Sequence, residues 1–223
     1  MKLSIKKIVT LAMLAAMAYV VMCFIKIPFI PGFDFLKYEP KDVLFVLAGF
    51  LVGPVESLII IIVVCFIEMV TVSNSGPVGL WMNLISSVCF VLPAALIYRK
   101  KKSIPAAVIG LAIGVVCMTA SMLLWNYLVT PGYMHIDQAV VVSLLPTVFL
   151  PFNLIKASIN MAVALIIYKP ISIALRKSGL LEESNKKDDT KKENSKKKFS
   201  PWAIIIGIFL LGGCIAAILM MRG

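Results

Sequence analysis

The sequence has a single histidine, His135, with no His or Cys companion at ligand spacing, so a metal centre is not expected. It has no GxxxxGK[ST] loop, which excludes ATP hydrolysis of that kind within this chain. HExxH and GxSxG are also missing, and one histidine leaves little scope for a Ser/His/Asp set. The five cysteines (Cys23, Cys65, Cys89, Cys117 and Cys214) form no CxxC, and each lies in an apolar run, where it reads as a small buried hydrophobe. Charge is scarce: Asp, Glu, Lys and Arg make up 15% of the chain, against about a quarter in soluble domains.

Apolar side chains, by contrast, are abundant. They account for 61% of the residues, and the mean hydropathy is +0.99. Too few polar residues exist to cover such a chain in water, so lipid is the expected solvent for most of it. The net charge of +11 then fits basic cytoplasmic loops beside anionic lipid rather than a nucleic-acid partner. Lys2, Lys6 and Lys7 followed by Ala16-Met17-Ala18 look like a cleavable signal, but the apolar run continues through Ile25 and is long enough to span.

Apolar segments fall at 8–27, 42–72, 77–98, 104–130, 139–168 and 202–221. A crossing helix needs about 20 residues, so 42–72, broken by Gly53-Pro54, is either one kinked helix or a hairpin of a short helix (42–52) and a longer one (54–72). The basic clusters decide between these. Lys2/Lys6/Lys7, Arg99/Lys100/Lys101/Lys102 and Lys169 through Lys198 should share the cytoplasmic side, and an even number of spans between the first two requires the hairpin. The expected fold is an all-α membrane protein, a six-transmembrane-helix bundle with a short second helix and both ends of the core cytoplasmic.

The core should occupy 1–176 and a lysine-rich linker 177–200, with an additional, seventh transmembrane helix over 201–223. The stretch 182–198 carries seven lysines and five acidic residues with no large apolar side chain, the composition of a disordered linker. Of the outward connections, Pro28–Lys41 is the longest. It mixes aromatics with Asp34, Lys37, Glu39 and Lys41, a character expected of a functional loop or lid.

Polar residues inside spans are costly and therefore informative; a lysine at a helix centre costs about 2.5–3.5 kcal/mol on insertion scales. Lys156 lies within the sixth helix, and Asn153, three residues earlier, shares its face. Asn126 sits beside Trp125 and Tyr127, and Asn83 follows Trp81. Together they offer donors and acceptors for a planar, polyhydroxylated ligand in an outward-opening pocket. Alternatively the asparagines join helices and Lys156 pairs with Glu56 or Glu68. Ala12, Ala15, Ala16 and Ala18 give the first helix a small-residue surface that another helix can approach.

Five segments in register carry a family resemblance: FLKYEPKD (35–42) with GFLVGP (49–54), GPVGLWMNLISS (76–87), WNYLVTPGY (125–133) and PFNLIKASI (151–159). The chain resembles the substrate-binding (S) component of energy-coupling factor (ECF) transporters, more narrowly its riboflavin-specific branch. The resemblance implies a vitamin-binding subunit that is not an enzyme, with riboflavin as transported ligand and no cofactor. It also implies partners: a transmembrane coupling subunit and two cytoplasmic ATPases. Asn126, Asn153 and Lys156 match the residues expected to hold the ribityl chain. Phe35, Leu36, Lys37 and Tyr38 match those closing over the flavin ring. Trp81 and Asn83 are further candidates from the polar and aromatic residues of the spans, outside what the resemblance assigns. Ala12 and Ala16 match the face that meets the coupling subunit. The linker and last helix depart from the pattern. Competing readings are flavin mononucleotide or another vitamin as ligand, and, from other classes, an intramembrane enzyme or a membrane scaffold. The enzyme reading is weak, because Glu56 and Glu68 stand about 18 Å apart along one helix.

Overall fold

The computed structural model describes residues 4–28, 30, 33, 36–180 and 202–222. Phe35 and the linker residues 181–200 lie outside the described residues. The elements are α1 (Ile5–Phe24), β1 (Ile27–Pro28), β2 (Lys37–Tyr38), α2 (Lys41–Leu51), α3 (Pro54–Thr71), α4 (Gly76–Lys100), α5 (Ile104–Met134), α6 (Gln138–Lys177) and α7 (Trp202–Arg222). Among the described residues, α1, α3, α4, α5 and α6 are each long and apolar enough to cross a membrane.

The hairpin at Gly53-Pro54 is present. Val52 and Gly53 both donate backbone N–H groups to the Ala48 carbonyl, at 2.9 and 3.1 Å, and close α2. Gly53 then adopts φ 154°, a conformation that disfavours a side chain, and Pro54 opens α3, where its missing N–H costs nothing. With 11 residues, α2 rises only about 16 Å, half of the hydrocarbon thickness. Every residue from Lys41 to Phe50 is buried, so α2 is the axis of the bundle, packed by α1, α3, α4 and α6. A helix that is apolar nearly all round belongs in such a place.

Contacts at one end of the bundle agree with the charge argument. Thr10 of α1 donates to the carbonyl of Leu180, just past α6, at 3.3 Å. The hydroxyls of Tyr98 in α4 and Tyr168 in α6 meet at 2.6 Å, and Phe50 stacks on Tyr98 with ring centroids 4.3 Å apart. The start of α1 and the ends of α4 and α6, where the described basic clusters lie, therefore share one end of the bundle.

The helices α4 and α5 cross most closely. A Cβ at Gly110 would stand 3.0 Å from Ala94 Cα, and one at Gly114 would collide with the Phe90 carbonyl. Gly114→Val is expected to cost about 1–3 kcal/mol by overpacking, read as a lower unfolding midpoint in detergent.

Three features differ from expectation. The first loop contains a two-stranded antiparallel pair, Ile27 opposite Tyr38 and Pro28 opposite Lys37. The helix α5 runs past Pro131 to Met134 and ends on His135 in the left-handed conformation (φ 54°), with Ile136 N–H closing onto the Pro131 carbonyl. Similarly, α6 continues past Pro170 and contains a π turn at Leu145–Phe149, next to Pro146 and Pro151, which cannot donate to the helical ladder. The last helix, α7, packs along α6. Gly207 lies against the Ala162 carbonyl and Ile166, and Cys214 joins the apolar cluster of Leu36, Tyr38, Phe149, Phe152 and Ile155.

Candidate ligand-binding cavity

At the end of the bundle opposite the basic clusters lies a cavity of about 480 Å³, within the range of small-molecule sites. Its walls come from the first loop (Lys26, Leu36, Lys37, Glu39), from α3 and α4 (Glu68, Met82, Asn83), and from α5 and α6 (Met122, Trp125, Asn126, Phe152, Asn153, Lys156).

Of the residues singled out from sequence, Leu36, Lys37, Asn83, Asn126, Asn153 and Lys156 meet on this cavity. Lys156 is 8% exposed and makes no hydrogen bond, and no ion pair within 4 Å, among the described residues. Pairing with Glu68, the alternative reading, does not occur, because Glu68 is taken by Lys41. Asn153 donates to the Phe149 carbonyl in the π turn at 2.8 Å. Asn126 donates to the Met122 carbonyl at 2.7 Å and accepts from Thr130 at 2.9 Å. Both amides thus fold back on their own helices, a local satisfaction that a ligand's groups can replace.

Trp81 and Tyr38 are not on the wall. Trp81 is 55% exposed and points out of the bundle, while Trp125, which the sequence placed only as a neighbour of Asn126, faces the cavity. Tyr38 is buried behind the loop, and its hydroxyl donates to Asn160 Oδ1 at 3.0 Å. Asn160 in turn donates to Asp42 at 3.2 Å, and Ser87 donates to Asp42 at 2.5 Å. This chain ties β2, α2, α4 and α6 together beneath the site. On α1, Leu11, Leu14 and Ala18 face inward, Ala12 and Ala16 are exposed, and Ala15 is half-buried.

Sequence reasoning missed the hub of the site. Lys41, 1% exposed, holds Glu39 at 2.9 Å and Glu68 more closely still; Asn83 donates to the other oxygen of Glu68 at 3.0 Å. Burial alone would push the Glu39 carboxyl up. The ammoniums of Lys41, Lys156 and Lys26 outweigh it and hold the group below the usual carboxylate range. The signal for this hub was present in Lys41 and Glu68, but their 27-residue separation hides the contact.

Residues 6–168 match the family described as ECF transporter, substrate-specific component. The chain belongs to this S-component family. It is 32% identical over 180 residues to the riboflavin transporter RibU of Staphylococcus aureus, an alignment covering 77% of this chain and 93% of that protein. Against the riboflavin transporter FmnP of Bacillus subtilis it is 30% identical over 177 residues, covering 74% and 92%. A solved S component of a bacterial ECF transporter superposes with a TM-score of 0.64 at 31% identity, covering 77% of this chain and 98% of that one. This S component is therefore a multi-pass protein of the cell membrane and part of a transporter, not an enzyme. The family match ends before α7, which is additional to it.

Proposed function

We propose that this S component is the high-affinity riboflavin-binding subunit of an ATP-driven importer. One observation carries the reading: Asn126, Asn153 and Lys156 converge in a single cavity beneath the first loop, in a chain similar to riboflavin transporters. Amides and an ammonium suit a polyhydroxylated chain, and Trp125, Met82 and Phe152 supply apolar wall for a flat ring. The basic end is cytoplasmic by the positive-inside rule, so both ends of the six-helix core lie inside and the cavity opens outward. Residues 1–176 are the binding core, 177–200 a cytoplasmic linker and 201–223 an added membrane anchor. The exposed Ala12 and Ala16, with Ala15 beside them, give α1 a surface for close docking of a transmembrane coupling subunit, energised by two ATPases.

A screen of water-soluble vitamins by thermal shift of the purified protein tests the assignment. Riboflavin should give the largest stabilisation; a larger shift with another vitamin would move the specificity. Flavin mononucleotide is the second reading, favoured by Lys26 and Lys37 on the wall, which can meet a phosphate. Trp125→Ala is expected to weaken riboflavin binding about tenfold through lost ring contact, and Trp81→Ala to leave it unchanged, read as dissociation constants.

A further inference from the structure

Glu39 and Glu68 line the cavity from two different elements, and neither belongs to the amide-and-ammonium set. A carboxylate only accepts hydrogen bonds, through about four lone-pair sites on its two oxygens. Glu68 uses one site on each oxygen, for Asn83 and Lys41. Glu39 gives one oxygen to Lys41, and the other stands 3.8 Å from Lys26. Acceptor capacity remains on both, at a wall that also holds the unpaired, nine-tenths-buried Lys156. The ammoniums of Lys41, Lys156 and Lys26 stand around the two carboxylates, so this wall offers ionised acceptors beside cationic donors. Such acceptors are matched by a molecule that carries hydrogen-bond donors of its own.

We infer that Glu39 and Glu68 contact the bound molecule and accept hydrogen bonds from its donors, and that Lys41 is the positioning residue that aims both carboxylates. The inference rests on the flavin reading. A flavin carries two kinds of donor, the ring imide N–H and the ribityl hydroxyls.

The test is a binding cycle on the full-length protein in detergent. Wild type, Glu39→Gln and Glu68→Gln are titrated with riboflavin, with 3-methylriboflavin (no imide N–H) and with lumiflavin (no hydroxyls). Riboflavin affinity should fall about ten- to a hundredfold in each variant, the scale of a hydrogen bond to a charged group. In each, the penalty for whichever analogue lacks the contacted donor should shrink by the same factor. Collapse of the 3-methyl penalty assigns the imide, and collapse of the lumiflavin penalty assigns the hydroxyls. Two double variants that keep the net charge of the cluster test Lys41. Lys41→Met with Glu68→Gln leaves Glu39 native and should still collapse the ratio that Glu39→Gln collapses. Lys41→Met with Glu39→Gln should do the same for the ratio that depends on Glu68. A merely structural role would leave each ratio as in the corresponding Glu→Gln single variant. Equal losses for all three ligands, or none, would overturn the assignment while leaving riboflavin binding intact. Wild type that binds no flavin would overturn the flavin reading and this inference with it.

Discussion

Lys41→Met is expected to destabilise the protein by about 3–5 kcal/mol, the usual cost of removing one partner from a buried ion pair. Lys41 is wholly enclosed between Glu39, Glu68 and the Met22 sulfur, which its ammonium approaches to 3.8 Å. A methionine fills similar space, so packing is nearly preserved, but two carboxylates are left facing each other without their cation. Most of the loss should come from that uncompensated charge. Adding Glu68→Gln to Lys41→Met should therefore recover a large part of the stability, although it removes one more native group. Unfolding midpoints of the single and double variants in detergent check this. A double variant less stable than Lys41→Met would show that the cluster acts by shape rather than charge.

The second large effect concerns the ligand. Lys156→Ala and Asn153→Ala should each weaken riboflavin binding about ten- to a hundredfold, because each removes a hydrogen-bonding group from a desolvated wall. Lys100→Ala, at the basic end of α4, should leave affinity unchanged. Folding should survive at Lys156, since its ammonium has no bonding partner to abandon among the described residues. Fluorescence titration of the three variants separates these outcomes, and equal, negligible losses would place the ligand elsewhere.

Much of the fold was legible because lipid imposes simple rules. Crossing length and the distribution of Lys and Arg sufficed to find the α2–α3 hairpin at Gly53-Pro54. Helix ends were harder. The apolar segments end at 130 and 168, yet the helices run on past Pro131 and Pro170, because packing in a bundle offsets one missing hydrogen bond. In the site, Asn153 and Lys156 were readable from their spacing on one helix. Trp81 was misplaced because a tryptophan at a helix start can face lipid or cavity, and its neighbours do not say which. Tyr38, expected over the ring, instead anchors the loop to Asn160. The Lys41 hub escaped notice for a different reason. Lys41 looked like one more charge in a loop of mixed aromatic and charged residues, and only the burial of α2 at the bundle axis turns it into the centre of a network that reaches the first loop, α3 and α4.

The central claim is that the cavity beneath the first loop holds one flavin. Equilibrium dialysis of the purified full-length chain against riboflavin measures it directly. Saturation at one riboflavin per chain, abolished or strongly weakened by Lys156→Ala, is the expected result. No saturable uptake, or uptake indifferent to Lys156, would contradict it.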